Sequence, residues 1–159
     1  MADSVAFVIV NNIKDALHAE QIMEETATAE LERLSPVEIN DRYPFCVVVG
    51  PEAEIEAQTP RLDQTRFSIG VQCFVEVNDD SQDVDTEIAY LTRNVASDII
   101  KLVRANPQRK VGAVTYAQNT KTTGYGHAFE EVDGIMEFYV WVSFEVVSRV
   151  DSDDPTLLA

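Results

Sequence analysis

The densest group of side chains able to hold a cation is Asp79, Asp80, Asp83, Asp85 and Glu87. A calcium loop supplies oxygens at positions one, three, five, seven and twelve around a glycine at six. Counted from Asp79, position six is Val84 and position twelve is Tyr90, so the spacing does not fit. The N-terminus of a helix accounts for the same acids, because its dipole attracts negative charge. Neither His18 nor His127 has a second histidine at ligand spacing, and both are expected on the surface. The chain carries no GxSxG, HExxH or phosphate-cradling loop. Gly124-Tyr125-Gly126 lacks the strand-to-helix context of a nucleotide fingerprint and reads as part of a mobile loop. Cys46 and Cys73 sit in apolar runs away from any CxxC pair. Buried free thiols are expected, with a disulfide open to them only if their strands are neighbours. These residues assign no catalytic, cofactor or metal site, although scattered carboxylates stay available to an enzyme.

Charge is the outstanding property of the chain. Twelve Lys and Arg stand against twenty-eight Asp and Glu, a formal net charge of −16. Such a surface repels nucleic-acid phosphates and anionic membranes at long range. The one stretch of positive charge is Lys101, Arg104, Arg109 and Lys110. Compensation of a helix C-terminus explains it. A contact with an acidic surface on a neighbouring copy, giving head-to-tail complementarity, is the functional alternative. The 45% apolar and 25% charged fractions are those of an ordinary globular domain, and 159 residues suit a single one. The start, Met1-Ala2-Asp3-Ser4, lacks a basic region, and the run Val5 to Val10 is too short for a signal-peptide core. No stretch reaches the roughly 20 apolar residues of a membrane helix. A reducing cytoplasm is the expected place of synthesis.

These residues need a scaffold, and the hydrophobic pattern supplies one. Ala6, Ile9, Val10, Ile13, Ala16 and Leu17 recur at helical spacing, predicting a first helix from about residue 4 to the low twenties, capped by Asp3 or Ser4. Residues 26–34 read as either helix or strand, and Ser35-Pro36 breaks the pattern. Tyr43 to Val49 is an apolar strand that Gly50-Pro51 is expected to close, with Glu52 to Gln58 returning as a hairpin. Phe67, Ile69, Val71, Cys73, Val75 and Val77 alternate with mostly polar residues, as a strand with one buried face does. Val84, Ile88, Leu91, Val95, Ile99 and Leu102 form one helical stripe from about Asp83 to Arg104, stopped by Asn106-Pro107. Val111 to Ala117 reads as a strand, and Gln118 to Glu131 as a long exposed loop. In the last strand, Ile135 to Arg149, Met136, Phe138, Val140, Val142, Phe144 and Val146 share one face. Tyr139 and Trp141 share the other with Glu137 and Glu145, either as an exposed interface or beneath the loops and first helix. The expectation is one α+β domain over 1–150, an antiparallel or mixed β-sheet with two helices packed on one face, and a disordered acidic tail over 151–159.

Taken together, these features resemble the tail terminator proteins of long-tailed bacteriophages. The resemblance rests on the N-terminal helix ending near Leu17, the segment Pro44-Phe45-Cys46-Val47-Val48-Val49 followed by a polar hairpin, and the strand Phe67 to Val77 leading into the helix Asp83 to Arg104. A glycine-containing loop and a terminal strand ending Val146-Val147-Ser148-Arg149 complete it. It covers nearly the whole chain and is one of pattern and length; phage neck and tail-completion proteins share much of it. It implies a ring, usually a hexamer, that caps the tail tube, stops its polymerisation and docks the head connector. Its partners would be further copies of itself, the tail tube protein and a head-completion or connector protein. The expected setting is the tail-neck region of a virion assembled in the bacterial cytoplasm, without membrane. DNA would cross the lumen unbound, and a negatively charged lumen would keep phosphates from sticking. No catalytic residue or cofactor comes with the resemblance. The segments Glu52 to Gln64 and Gln118 to Glu131 are the expected contacts with tube or neighbouring subunit. Within and beside them, the candidate interface residues are Glu52, Glu54, Glu56, Arg61, Lys101, Arg104, Arg109, Lys110, Lys121, Tyr125, Tyr139 and Trp141. A competing reading from another class is a small-molecule-binding α+β module, which would show one well-formed pocket with convergent polar groups.

Overall fold

Ser4 starts the first helix: its Oγ accepts the Phe7 backbone N–H at 3.2 Å and its carbonyl accepts the Val8 N–H at 3.1 Å. This is the N-cap arrangement, which satisfies donors that the first helical turn leaves open. Helix α1 then runs Val5–Ala19. Its buried line is Val5, Ile9, Ile13 and Leu17, at successive steps of four. The structure, a computed structural model, describes residues 3–19, 25–29, 45–60, 62–75, 84–132 and 134–158.

The strands are β1 (Glu25–Ala29), β2 (Phe45–Thr59) and β3 (Leu62–Phe74) before helix α2 (Val84–Arg104). After it come β4 (Lys110–Val111), β5 (Val114–Thr115), β6 (Asn119–Val132) and β7 (Ile135–Asp151). The main sheet has the order β1-β2-β3-β7-β6, parallel between β1 and β2 and antiparallel elsewhere, while β4 and β5 form a separate small hairpin. The fold is therefore α+β with a mixed sheet. Directly opposed residues share a face, so the pairings Val48↔Val71, Val71↔Val142 and Ile69↔Phe144 define the core side. Helix α1 packs on β1 and β2, α2 packs on β6 and β7, and the helices touch each other, so both lie on that one face. Each fully buried aliphatic side chain there contributes about 1.5–3 kcal/mol.

In α2, Asp85 and Glu87 occupy the first turn, and Lys101 and Arg104 the last. Its deepest line is Thr92, Ala96, Ile99 and Val103, flanked by Ile88, Leu91, Val95 and Leu102. The stripe predicted from the large apolar residues is thus rotated slightly. Ala96 and Thr92 are small enough for the closest approach to the sheet, and Thr92 satisfies its hydroxyl on the Ile88 carbonyl at 2.7 Å.

Four expectations are corrected. Gly50-Pro51 does not end a strand: β2 continues to Thr59 through a register shift between Val49 and Glu52. Gly50 adopts φ 118° and is joined to Pro51 by a cis peptide bond. Because the bulge absorbs both residues, the missing Pro51 N–H leaves no gap in the ladder. The exposed loop predicted over 118–131 is strand β6, whose backbone groups pair with β7 over nearly its full length. The strand predicted over Val111 to Ala117 is cut by Gly112, at φ 62°, into the short β4 and β5. The tail folds back rather than being disordered. Val5 N–H donates to the Pro155 carbonyl at 3.1 Å, Asp151 N–H to the Leu157 carbonyl at 3.0 Å, and Leu158 packs against the core. Its acids serve local turns: Asp154 accepts the Thr156 hydroxyl at 2.6 Å and N–H at 3.0 Å, which hold its carboxyl below the usual carboxylate range.

Cys46 and Cys73 are directly opposed on neighbouring strands, yet no disulfide joins them. Burial, followed by a hydrogen bond with Cys73, pushes the Cys46 thiol well up. It is therefore a poor nucleophile at neutral pH.

Candidate functional site

The two open edges of the sheet are its most reactive surface in the physical sense. β1 covers β2 only from Phe45 to Val49, so among the described residues the stretch 50–59 has no strand on its outer side. At the opposite edge, β6 is 14 residues long and among the described residues pairs only inward, with β7. An uncovered edge presents a row of unpaired N–H and C=O groups, a template for another strand.

The candidate residues divide between these edges. Glu52, Glu54 and Glu56 are all exposed along the open part of β2 and face the side away from the helices. Lys121 is exposed on β6 with the same facing, opposite Glu145 of β7. Lys101 and Arg104 are exposed in the last turn of α2, which packs on β6 and β7. Lys110 follows in β4, fixed by a reciprocal pair with the Asn106 amide: Lys110 N–H to Oδ1 at 2.9 Å and Nδ2 to the Lys110 carbonyl at 2.9 Å. One edge is thus acidic, and the other carries most of the basic residues singled out. Arg61 lies outside the described residues, as do Asp79, Asp80 and Asp83 of the acidic run. His18 lies in α1, and its side chain is outside the description as well.

Arg109 does not belong to this surface. It is fully buried, and the expectation of an intersubunit contact is corrected for it. Its backbone sits at φ 47°, a left-handed turn just past α2 that folds the side chain back beneath the helix end. There Nε donates to the Asn106 carbonyl at 2.5 Å, and a terminal nitrogen donates to the Val103 carbonyl. The guanidinium occupies the place of a C-cap, giving the last carbonyls of α2 partners and a positive charge. Burial lowers its pKa to about 10, so it stays charged at neutral pH.

Tyr139 and Trp141 lie half-buried on the face of the sheet opposite α1 and α2. Tyr139 packs against Phe74, ring centroids 5.3 Å apart. Trp141 lies across β6, where a Cβ on Gly126 would fall 2.9 Å from its ring and one on Gly124 would fall 3.6 Å away. The two glycines of the supposed loop are therefore the floor on which an indole rests. The indole in turn shields a strand that Gly would otherwise weaken.

Beside Tyr139, Glu137 is buried, and its Oε1 has no hydrogen-bond partner. Burial raises its pKa above the ordinary 4.5. A raised folded-state pKa means that the fold disfavours the charged form. This stability loss is present at neutral pH and disappears as pH falls toward 4.5. Glu137→Gln is expected to gain about 1 kcal/mol at neutral pH, a Tm rise of roughly 2–4 °C. The gain over wild type should shrink as the pH approaches 4.5. An equal gain at both pH values in thermal melts would show that the charge is not the cause.

On the helix side, the structure reveals two features missed in the sequence. Tyr125, His127 and Phe129 form an exposed stripe along edge strand β6, opposite Val142, Val140 and Phe138. Phe129 stacks on Phe138 at 5.3 Å, with His127 at 5.8 Å from the same ring. The alternation over these three residues carried the strand signal, masked by Gly124 and Gly126 on either side of Tyr125. The second feature is a groove between α1 and the open half of β2. Its two adjoining hollows, about 340 and 180 Å³, are walled by Ala6, Phe7 and Val10 on one side and by Pro51, Ala53 and Ile55 on the other. A third hollow of about 400 Å³ lies on the face opposite α1 and α2, over Gly70, Ser68 and Ser143, bordered by Glu52 and Glu145.

Among the described residues, no group of three or more His, Cys, Asp or Glu side chains is placed to hold a metal ion, and no helix is long and apolar enough to cross a membrane. In comparisons with known proteins, no family model matches the chain, and no curated protein does either.

Proposed function

We propose that this chain is a phage tail terminator, a structural ring protein that caps the tail tube, stops its growth and offers a docking surface to the head connector. The observation that carries the reading is the pair of open sheet edges, with Glu52, Glu54 and Glu56 along β2 and Lys121 near the start of β6. β2 and β6 run antiparallel to each other, since each step β2-β3-β7-β6 reverses direction. A copy placed beside β6 by continuing the sheet would present its β2 in the antiparallel sense. The face bearing Glu52, Glu54 and Glu56 would then continue the face bearing Lys121, while Lys101 and Arg104 lie on α2, on the helix side. Such a contact joins two different surfaces, so repeating it makes a ring wherever the rotation closes. The charge pattern sets the order of association and disfavours acidic edge on acidic edge. The remaining acidity suits a lumen that DNA crosses without sticking.

Light scattering after size exclusion, at low and moderate salt, tests the reading. A particle of about six subunits, open at the centre in electron micrographs and loosened by salt, is expected. A monomer at every concentration and salt, both alone and with tail tubes added, would refute it.

A further inference from the structure

The stripe on β6 and the groove beside α1 fit each other. Both lie on the helix side of the sheet, one at each open edge. Large side chains on a strand edge stay solvent-exposed only at a cost, and Tyr125 and Phe129 are 52% and 51% exposed. The groove wall is equally uncovered, with Ile55 at 64% and Phe7 at 41%. We propose that the aromatic stripe of one copy seats in the α1–β2 groove of the next, so that a second copy of this chain occupies the groove; this rests on the ring reading above.

The register follows from charge and parity. If Lys121 pairs with Glu56 of the neighbour, both facing away from the helices, Thr122 falls opposite Ile55. The register shift that β6 makes between Thr122 and Gly124 adds one residue. Tyr125 then falls opposite Ala53, on the helix side, at the mouth of the groove. The same two strands thus place the ionic contacts on one face and the aromatic insertion on the other. A contact slipped by one residue would set Tyr125 opposite a β2 residue whose side chain leaves the other face, and the two pleats would not match. The contact therefore fixes the register as well as the partner. Its head-to-tail character also fits the placing of stripe and groove at opposite edges of the sheet, so that among the described residues the stripe of a copy lies far from its own groove.

The test uses Ala53→Cys and Tyr125→Cys, both at exposed positions, with a short bismaleimide linker and light scattering in parallel. The native Cys46 and Cys73 are buried, so the wild-type chain should stay uncross-linked. Neither single variant should cross-link to itself. Co-expressed single variants should give one heterodimer, and the double variant a ladder of bands stopping at the ring size. Oligomers without this ladder, or homodimers of a single variant, would overturn the stripe-and-groove contact while leaving the ring standing. A monomer throughout, with no ladder, would overturn both.

Discussion

Alanine in place of Arg109 is expected to cost about 3 kcal/mol and to lower Tm by roughly 6–12 °C. The side chain is the largest of those fully buried. Its loss opens a void, frees the Val103 carbonyl and removes the charged donor from the Asn106 carbonyl, which keeps the residue 109 backbone N–H at 3.0 Å. The opposing term is its remaining terminal nitrogen, buried without a partner, whose desolvation cost the substitution removes. Two charged hydrogen bonds and the packing outweigh that single orphan. Arg109→Met separates the contributions, since methionine restores most of the volume and none of the hydrogen bonds, and an intermediate loss is expected. The turn that Arg109 closes also carries the Thr120 hydroxyl bond to the Pro107 carbonyl, 2.8 Å, and the Ala117 N–H bond to the Gln108 carbonyl, 2.9 Å. Loosening it should therefore raise hydrogen exchange at the start of β6 as well as at the end of α2. A melt within 1 °C of wild type would remove the guanidinium from any role at the helix end.

Gly50→Ala should be nearly as damaging, at about 3 kcal/mol and again roughly 6–12 °C. Two effects add. The φ of 118° is a region that side chains rarely enter. A Cβ there would also lie 2.8 Å from the Ser68 carbonyl oxygen, a backbone atom of the paired strand that cannot swing away. Gly112 provides the control, because its φ is 62° but a Cβ on it would meet nothing within 4 Å. Gly112→Ala should therefore cost only about 1–2 kcal/mol, the conformational penalty alone. The Gly50 bulge is also where β2 leaves β1 and becomes an open edge. Any assembly through that edge should weaken in Gly50→Ala and not in Gly112→Ala, as read by light scattering below the melting temperature. Equal Tm values for the two variants would show that the Ser68 contact is not decisive.

Periodicity made much of the fold legible. The helical stripes of α1 and α2 and the alternation of Phe67 to Cys73 and Phe138 to Val146 sorted residues onto faces, because burial on one side forces period 3.6 or 2. Ser4, the acids at the start of α2 and Lys101 with Arg104 at its end marked boundaries through the helix dipole and the caps. The charge imbalance was also fixed at this level, and with it the division into a strongly acidic chain and one basic cluster.

Strand β6 escaped because neither of its faces is clearly apolar. Among the described residues nothing pairs with its outer edge; one face carries glycines beneath Trp141, and the other carries the exposed Tyr125 and Phe129. Only pairing with β7 makes it a strand, and pairing is a non-local fact. The same holds for β2, where Gly50-Pro51 has the local chemistry of a turn but lies inside a ladder held on its inner side by β3. Arg109 reads as a surface charge until the left-handed backbone past α2 turns it inward. The placing of Glu52, Glu54 and Glu56 at one edge and Lys121 at the other likewise belongs to sheet order. Segments 50–59 and 119–132 come to flank the sheet because the β2–β3 and β6–β7 hairpins meet through β3 and β7. Local sequence sets which face of an element is apolar; which neighbours cover that face, and which edges stay open, is decided only when all the strands compete for the same partners.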